Sequence, residues 1–475
     1  MLLRSLAATA AILALSAAPA AADFTPGAAG GGDPFYPQAG NGGYDVQHYS
    51  VRLNYEPQNE QLAGDVTISA RATQDLSSFN LDLRDLKVNS VTVNGADASF
   101  TRKGQELTIT PVAGLRRNRD FTARVVYAGH ANYVNDPDHS HDGWIPTDDG
   151  AFVVNEPQGA PTWFPVNDSL KDFATFDFEV TVPAGRVVMS NGTLVSKTEN
   201  GSTTTWHWRE SKPMVSYLSM VTNGFFQTDF DGTVLGSLPE YNAVDPQTRR
   251  FGQKDPNPQL AWDRLATTQE PALELFTEIY GPYPFDTVGA IVDWAPNVFF
   301  SLESQTKPNY WHVPTVDTIV HELAHQWFGD ALVLEKWQDM WLNEGFATWS
   351  EWIWNERRPG GTSAHDQFIA TYNTPEDSAA GQDLWFPAPD ALPDASELFA
   401  TPVYDRGALT LQALREKLGD DVFFQLLHTW YGENRYSNVT TQDFIATAER
   451  VSGQQLDHFF DVWLFQEGRP EPGSW

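Results

Sequence analysis

No cysteine occurs anywhere in the 475 residues. That absence excludes disulfides, thiolate zinc sites, iron–sulfur clusters, catalytic thiols and lipid attachment through sulfur, so any metal must be held by histidine or carboxylate. Basic side chains are scarce as well: 30 Lys and Arg stand against 62 Asp and Glu, a net charge of −32. A surface this acidic repels phosphate backbones and anionic lipid, and no nucleic acid is expected as a partner. Apolar runs of transmembrane length are also missing. The N-terminal run from Leu6 to about Ala18 is too short to span a bilayer. It follows a positive charge at Arg4 and leads to Ala20-Ala21-Ala22, the order of parts in a cleaved secretory signal. Residues 1–22 are therefore expected to be a signal peptide, and the protein to be secreted (extracellular or periplasmic) without a membrane anchor.

What is present supports folded domains: 41% of residues are hydrophobic, 13% aromatic and only 19% charged. Residues 23–43, rich in Gly, Pro and Ala, read as a flexible leader. From Tyr44 the pattern has period two, as in Val51, Leu53 and Tyr55 or Val66, Ile68 and Ala70, punctuated by turns such as Asn94-Gly95 and Asn191-Gly192. This predicts an N-terminal all-β domain over 44–230. Beyond it the period becomes helical, in Leu265, Ala272, Leu275, Phe276 and Ile279, with a stop at Gly281-Pro282. Further helices are expected at 315–328, 338–357, 406–418, 420–431, 440–451 and 455–466, with a small sheet around 232–242 and 287–293. The chain is thus expected to be a multidomain α+β protein whose second domain, 231–475, is mainly helical. No internal repeat is present.

His321-Glu322-Leu323-Ala324-His325 falls in one of these helical windows. Histidines at i and i+4 project from one helix face, so both imidazoles can reach one zinc ion, with Glu322 beside it. Glu344, in Trp341-Leu342-Asn343-Glu344-Gly345, follows after 18 intervening residues on the next predicted helix. That separation lets the chain turn back and offer a carboxylate as third ligand, with the fourth position open as catalytic zinc requires. One zinc per chain is expected.

The stretch from His321 to Asp330, followed by Trp341 to Ala347, resembles the signature of the M1 family of zinc metallopeptidases, the aminopeptidase N and leukotriene A4 hydrolase relatives. Tyr44-Asp45 through His48-Tyr49, Trp163-Phe164-Pro165, Gly281 to Phe285 and Tyr404 to Ala408 agree with it, so the resemblance covers nearly the whole mature chain. It implies a saddle-like N-terminal β domain, a thermolysin-like catalytic domain and, since Leu456 to Pro470 resembles that domain's end, a short two-domain member. It also implies an aminopeptidase acting on peptides. Glu322 is then the general base and Tyr404 the donor to the oxyanion. Holding a substrate ammonium calls for carboxylates. Glu303 takes the place of the glutamate in the family's G-x-M-E-N segment, although Phe300, Leu302 and Ser304 replace its Gly, Met and Asn. Glu156, nine residues before Pro165, resembles the second amine-binding position.

Two readings compete with this one. The altered segment around Glu303 suits a zinc endopeptidase or oligopeptidase with weak N-terminal selectivity, and an inactive relative could bind peptides without cleaving them. The combined presence of His321, Glu322, His325, Glu344 and Tyr404 argues against inactivity, because a binding module needs neither base nor oxyanion donor. The loop carrying Asp136, Asp138, His139, His141 and Asp142 lacks calcium-loop spacing and is expected to be solvated. Trp337, Trp341, Trp349, Trp352 and Trp354 are expected to form core and cleft wall rather than a sugar-stacking platform.

Overall fold

The computed structural model describes residues 23–473, and the expected signal peptide lies outside them. The period-two segments of the first half form three sheets. The largest has eight strands, centred on Tyr44–Glu56, which pairs antiparallel with Gln61–Ala72 and parallel with Ala174–Pro183. Tyr44 and Val46 point inward, yet so do Tyr49, Val51, Leu53 and Tyr55. A bulge between Val46 and His48 inserts one residue and switches the parity, keeping both sets on the core face. Phe176 stacks on Tyr49 at 4.9 Å and on Phe178 at 5.5 Å, filling the space under the sheet. A five-stranded sheet containing His141–Pro146 and Ala151–Val154 runs directly into Glu156.

Residues 23–43 are not a flexible leader. Thr25–Pro26 adds to a small sheet beside Leu76–Asp82, Gly40 N donates to Asp82 Oδ2 at 3.0 Å, and Asn41 N donates to Asn167 Oδ1 at 2.6 Å. Asp33 Oδ2 accepts from Trp337 N at 2.9 Å, and Tyr36 packs edge-on against the Trp337 ring. A low apolar content suggested freedom, but glycine-rich backbone can be ordered by hydrogen bonds to distant side chains, which composition does not display.

The second half opens with a sheet of Gln227–Asp229, Thr233–Val234, Leu238–Val244, Val288–Val292 and Asn309–Tyr310. Its helices are α1 (Pro258–Ile279), α2 (Val316–Ala324), α3 (Trp341–Arg357), α4 (Ala364–Tyr372), α5 (Ala379–Trp385), α6 (Gly407–Leu418), α7 (Asp420–Asn434), α8 (Thr441–Ser452) and α9 (Asp457–Phe460). Helix α1 starts at an Asn257 cap with Pro258 in its first turn. Helix α2 is capped by Thr315, whose hydroxyl accepts from Thr318 N at 3.0 Å, and it ends at Ala324, short of the expected 328. There Gly329, at φ +129°, turns the chain back. The short helices α4 and α5 were not expected. Each is set by a serine cap, Ser363 and Ser378. The expected 406–418 helix is entered through a π-helical turn, Pro402–Arg406, which carries Tyr404. Among the described residues no helix is long and apolar enough to cross a membrane.

Helices α3 and α6 touch backbone to backbone at Gly345 and Gly407. A Cβ on Gly345 would lie 2.8 Å from Gly407 Cα, nearer than real Cβ contacts allow. Glu344 and Tyr404 flank this contact, so its closeness sets their separation. Gly345→Ala is expected to force the helices apart at a cost of about 1–3 kcal/mol. Urea titration should show a lower midpoint, accompanied by weaker zinc retention on dialysis.

Candidate active site

The cap at Thr315 and the buried face of Ile319, Val320, Leu323 and Ala324 fix the rotation of α2, leaving His321 and His325 directed at the start of α3. Glu344 comes to meet them. His321 Nε2 lies 3.0 Å and His325 Nε2 3.4 Å from Glu344 Oε2. Ligands about 2.0–2.1 Å from one tetrahedral ion stand about 3.4 Å apart, so the three groups suit zinc. The opposite ring nitrogens are committed. His321 Nδ1 donates to Glu351 Oε1 at 2.7 Å and His325 Nδ1 to Phe328 O at 2.9 Å, which leaves each Nε2 lone pair for a metal. Burial alone would lower both histidines. Glu344 and Glu351 outweigh it at His321, raising it well above its usual range, and Glu344 and Glu303 raise His325 to about 9. The carboxylates thus draw positive charge to this point, and a dication satisfies them while the imidazoles stay neutral. For Glu344 itself burial acts upward, but His325 and His321 hold it at about 2 and ionised.

A cavity of about 470 Å³ opens over these groups. It brings together every side chain expected at the site: His321, Glu322, His325, Glu344, Tyr404, Glu303 and Glu156. Burial pushes the Glu322 carboxyl up to about 8, against the pull of His321 and His325. A dication at the neighbouring ligands adds to that pull. Burial, then Glu344, holds the Tyr404 hydroxyl well above the usual phenol range, so it remains a proton donor; its ring lies over His321 at 6.1 Å.

Glu303 sits in a segment without regular structure that is nevertheless held at many points. Leu302 and Asn309 exchange backbone hydrogen bonds, Gln326 Nε2 donates to Glu303 O at 2.8 Å, and Asn191 Nδ2 donates to Gln305 O at 2.8 Å. Tyr217, from the β domain, donates its hydroxyl to Glu303 Oε1 at 3.1 Å. Lys307 closes the segment, its Nζ donating to Gly192 O and lying over the Trp208 and Tyr241 rings. Glu156 is buried, and its Oε1 has no hydrogen-bond partner among the described residues. Burial and Glu303 raise its carboxyl well above the usual range.

Three parts of the site were not anticipated. Glu351 lies two turns beyond Glu344 on the same helix face, a spacing that could have revealed it. Tyr217 reaches Glu303 across the domain boundary, and no local pattern marks it. The loop expected to be solvated lines the cavity mouth through Asp138, His139 and Ser140, while Asp136 and Asp142 are buried. His141 Nδ1 is 3.0 Å from Asn297 O, tying this loop to the catalytic half. The five tryptophans are buried as core, and none lines the cavity.

The Peptidase M1 N-terminal domain matches residues 45–218 and the Peptidase family M1 domain residues 295–463. Aminopeptidase M1 of Arabidopsis thaliana is 26% identical over 89% of this chain and 50% of its own length. Aminopeptidase N of Streptomyces lividans is 27% identical over 82% and 47%. The chain therefore spans about half the length of the curated relatives it matches. The crystal structure of an M1 zinc metallopeptidase from Deinococcus radiodurans superposes with a TM-score of 0.81 at 28% identity, covering 93% of this chain and 97% of that one. A mutant of the Deinococcus enzyme, bound to a Tyr-ser-ala substrate, superposes with a TM-score of 0.80. With both of its domains matched, and with the zinc ligand set assembled between α2 and α3, the chain belongs to peptidase family M1.

Proposed function

We propose that this chain is a secreted zinc aminopeptidase that removes N-terminal residues from peptides. The observation that carries the reading is the placement of two buried carboxylates, Glu303 and Glu156, the latter with Oε1 unpartnered among the described residues, in the same cavity as His321, His325 and Glu344. Buried carboxylates of this kind call for a cation, and a peptide's α-ammonium supplies one at the distance of its first amide. The aminopeptidase relatives and the tripeptide in the Deinococcus mutant support peptides as the substrate class. Export rests on the order of charge, apolar run and small residues in residues 1–22.

Zinc bound by His321, His325 and Glu344 supplies a Lewis acid that polarises a carbonyl and acidifies water. Glu303 and Glu156 accept hydrogen bonds from the ammonium and orient the first peptide bond. Glu322 takes a proton from the attacking water as the C–O bond forms, then passes it to the departing nitrogen as the C–N bond breaks. Tyr404 donates its hydroxyl to the carbonyl oxygen while that oxygen carries negative charge. Products are a free amino acid and a peptide shortened by one residue.

Because Glu351 orients His321 without being a ligand, Glu351→Ala should weaken zinc affinity about 10- to 100-fold, measured by competition with a chromogenic chelator. Glu322→Gln should keep stoichiometric zinc and the wild-type melting profile while losing about 10²- to 10⁴-fold in turnover; near wild-type turnover would place the base elsewhere. The decisive comparison is a peptide against its N-acetyl form, with products identified by mass. Acetylation should cost about one to two orders of magnitude in kcat/KM, and Glu303→Ala should lower the free-amine rate by a similar factor with little change for the blocked peptide. Internal cleavage of blocked peptides at full rate would make the enzyme an endopeptidase.

A further inference from the structure

Two of the exposed large apolar side chains stand beside the same tryptophan. Phe299, 66% exposed, meets the Trp311 ring at 5.9 Å, and Phe251, 67% exposed, meets it at 5.4 Å; both contacts are edge-on. Trp311 is itself buried to 7% and held by Ala295 N, which donates to its carbonyl at 3.0 Å. Phe299 also lines the catalytic cavity, so ring contacts through Trp311 link the cavity lining to Phe251.

Phe251 is flanked by cations on both sides. Arg249-Arg250-Phe251-Gly252-Gln253-Lys254 holds three of the 30 basic residues and no acid. Arg249 donates to the carbonyls of Gln247 and Lys254, and exposed Arg250 and Lys254 pair with no carboxylate among the described residues. Val313 N donates to Arg249 O at 3.0 Å, fixing this basic turn against the Trp311 segment. Phe299 precedes Glu303 by four residues, at most about 14 Å of extended chain. A peptide whose ammonium is at Glu303 covers that distance with its third or fourth residue.

We infer that Phe299, Trp311 and Phe251 form a downstream subsite for an aromatic side chain at the third or fourth position of the substrate, with Arg250 and Lys254 receiving the peptide's C-terminal carboxylate. The inference rests on the aminopeptidase reading and narrows its substrate class to short peptides with a free carboxylate. Aromatic contact selects the side chain, and the basic turn, set in a chain of net charge −32, selects the anion.

The test uses the full zinc-loaded enzyme and four substrates: Ala-Ala-Ala-Phe, Ala-Ala-Ala-Ala, the C-terminal amide of the first, and alanine anilide. Ala-Ala-Ala-Phe should exceed Ala-Ala-Ala-Ala about 3- to 10-fold in kcat/KM. Amidation should cost about 2- to 5-fold, a difference that shrinks as salt is raised. Phe251→Ala should erase the Phe-over-Ala ratio and Phe251→Tyr should retain it, while Arg250→Gln with Lys254→Gln should erase the acid-over-amide ratio. Phe251 is itself exposed, so its replacement removes little packing beyond the Trp311 edge, and an unchanged melting profile verifies that the fold is kept. A ratio near one in the wild type, or one untouched by Phe251→Ala, overturns the subsite. So does a shift from dimer to monomer in sedimentation on Phe251→Ala with substrate ratios intact, which would assign the surface to a second copy of the chain. Failure of the aminopeptidase reading has a different signature: alanine anilide is left intact while blocked peptides are cut.

Discussion

Four glutamates, Glu156, Glu303, Glu322 and Glu344, are buried in one cavity, and their mutual repulsion governs the chemistry that can occur there. An unpaired carboxylate in a dry site costs several kcal/mol, so each must find a cation, a proton or a donor. Glu344 has the imidazoles and the metal they would hold, and Glu303 has the Tyr217 hydroxyl. Glu156 Oε1 has no donor among the described residues, and burial with the Glu303 charge raises its carboxyl, favouring the protonated form. Asp330, also buried, is pushed well above its usual range by burial and then by Glu303. On the proposed function, a substrate ammonium would relieve this imbalance by bringing positive charge to the cavity, and binding and orientation would then be one event.

The metal ligands were legible because their information is local. Two histidines four apart on a helix, with a carboxylate on the next, need only helical geometry to converge, and α2 and α3 supply it. Tyr404, Glu303 and Glu156 were reached through family resemblance, since nothing in their own neighbourhoods sets them apart from ordinary side chains. What escaped depended on partners far away in the chain. Asp33 meets Trp337 across 304 positions and Asn41 meets Asn167 across 126, so residues 23–43 read as free when they are fastened. The loop of Asp136 to Asp142 failed similarly: its acids suggested water, but the β domain folds them under the cavity rim. In the helical half Gly329 turned the chain back where helix was expected to run to 328, and the short α4 and α5 were missed because little beyond a serine cap marks each.

Tyr404 shows how an irregularity serves placement. A continued α-helix through Pro402–Arg406 would carry the side chain round by the regular angle, whereas the wider turn shifts its azimuth relative to α6. The turn is secured by Arg406, wholly buried, whose guanidinium donates to Trp385 O at 3.1 Å and Val462 O at 3.0 Å. The contact between Gly345 and Gly407 then sets the turn against the start of α3. Tyr404 is thus located largely by backbone contact and by the carbonyls that hold Arg406.

The segment from Glu303 to Lys307 is held from both sides. Gln326 grips it from the catalytic half, while Asn191, Gly192 and Tyr217 grip it from the β half. Metal binding, by contrast, draws on α2 and α3 alone. The metal ligands are consequently placed by one domain, whereas the Glu303 segment is placed jointly by two. A change confined to the β domain would therefore leave the His321, His325 and Glu344 geometry intact while moving the Glu303 carboxylate relative to it.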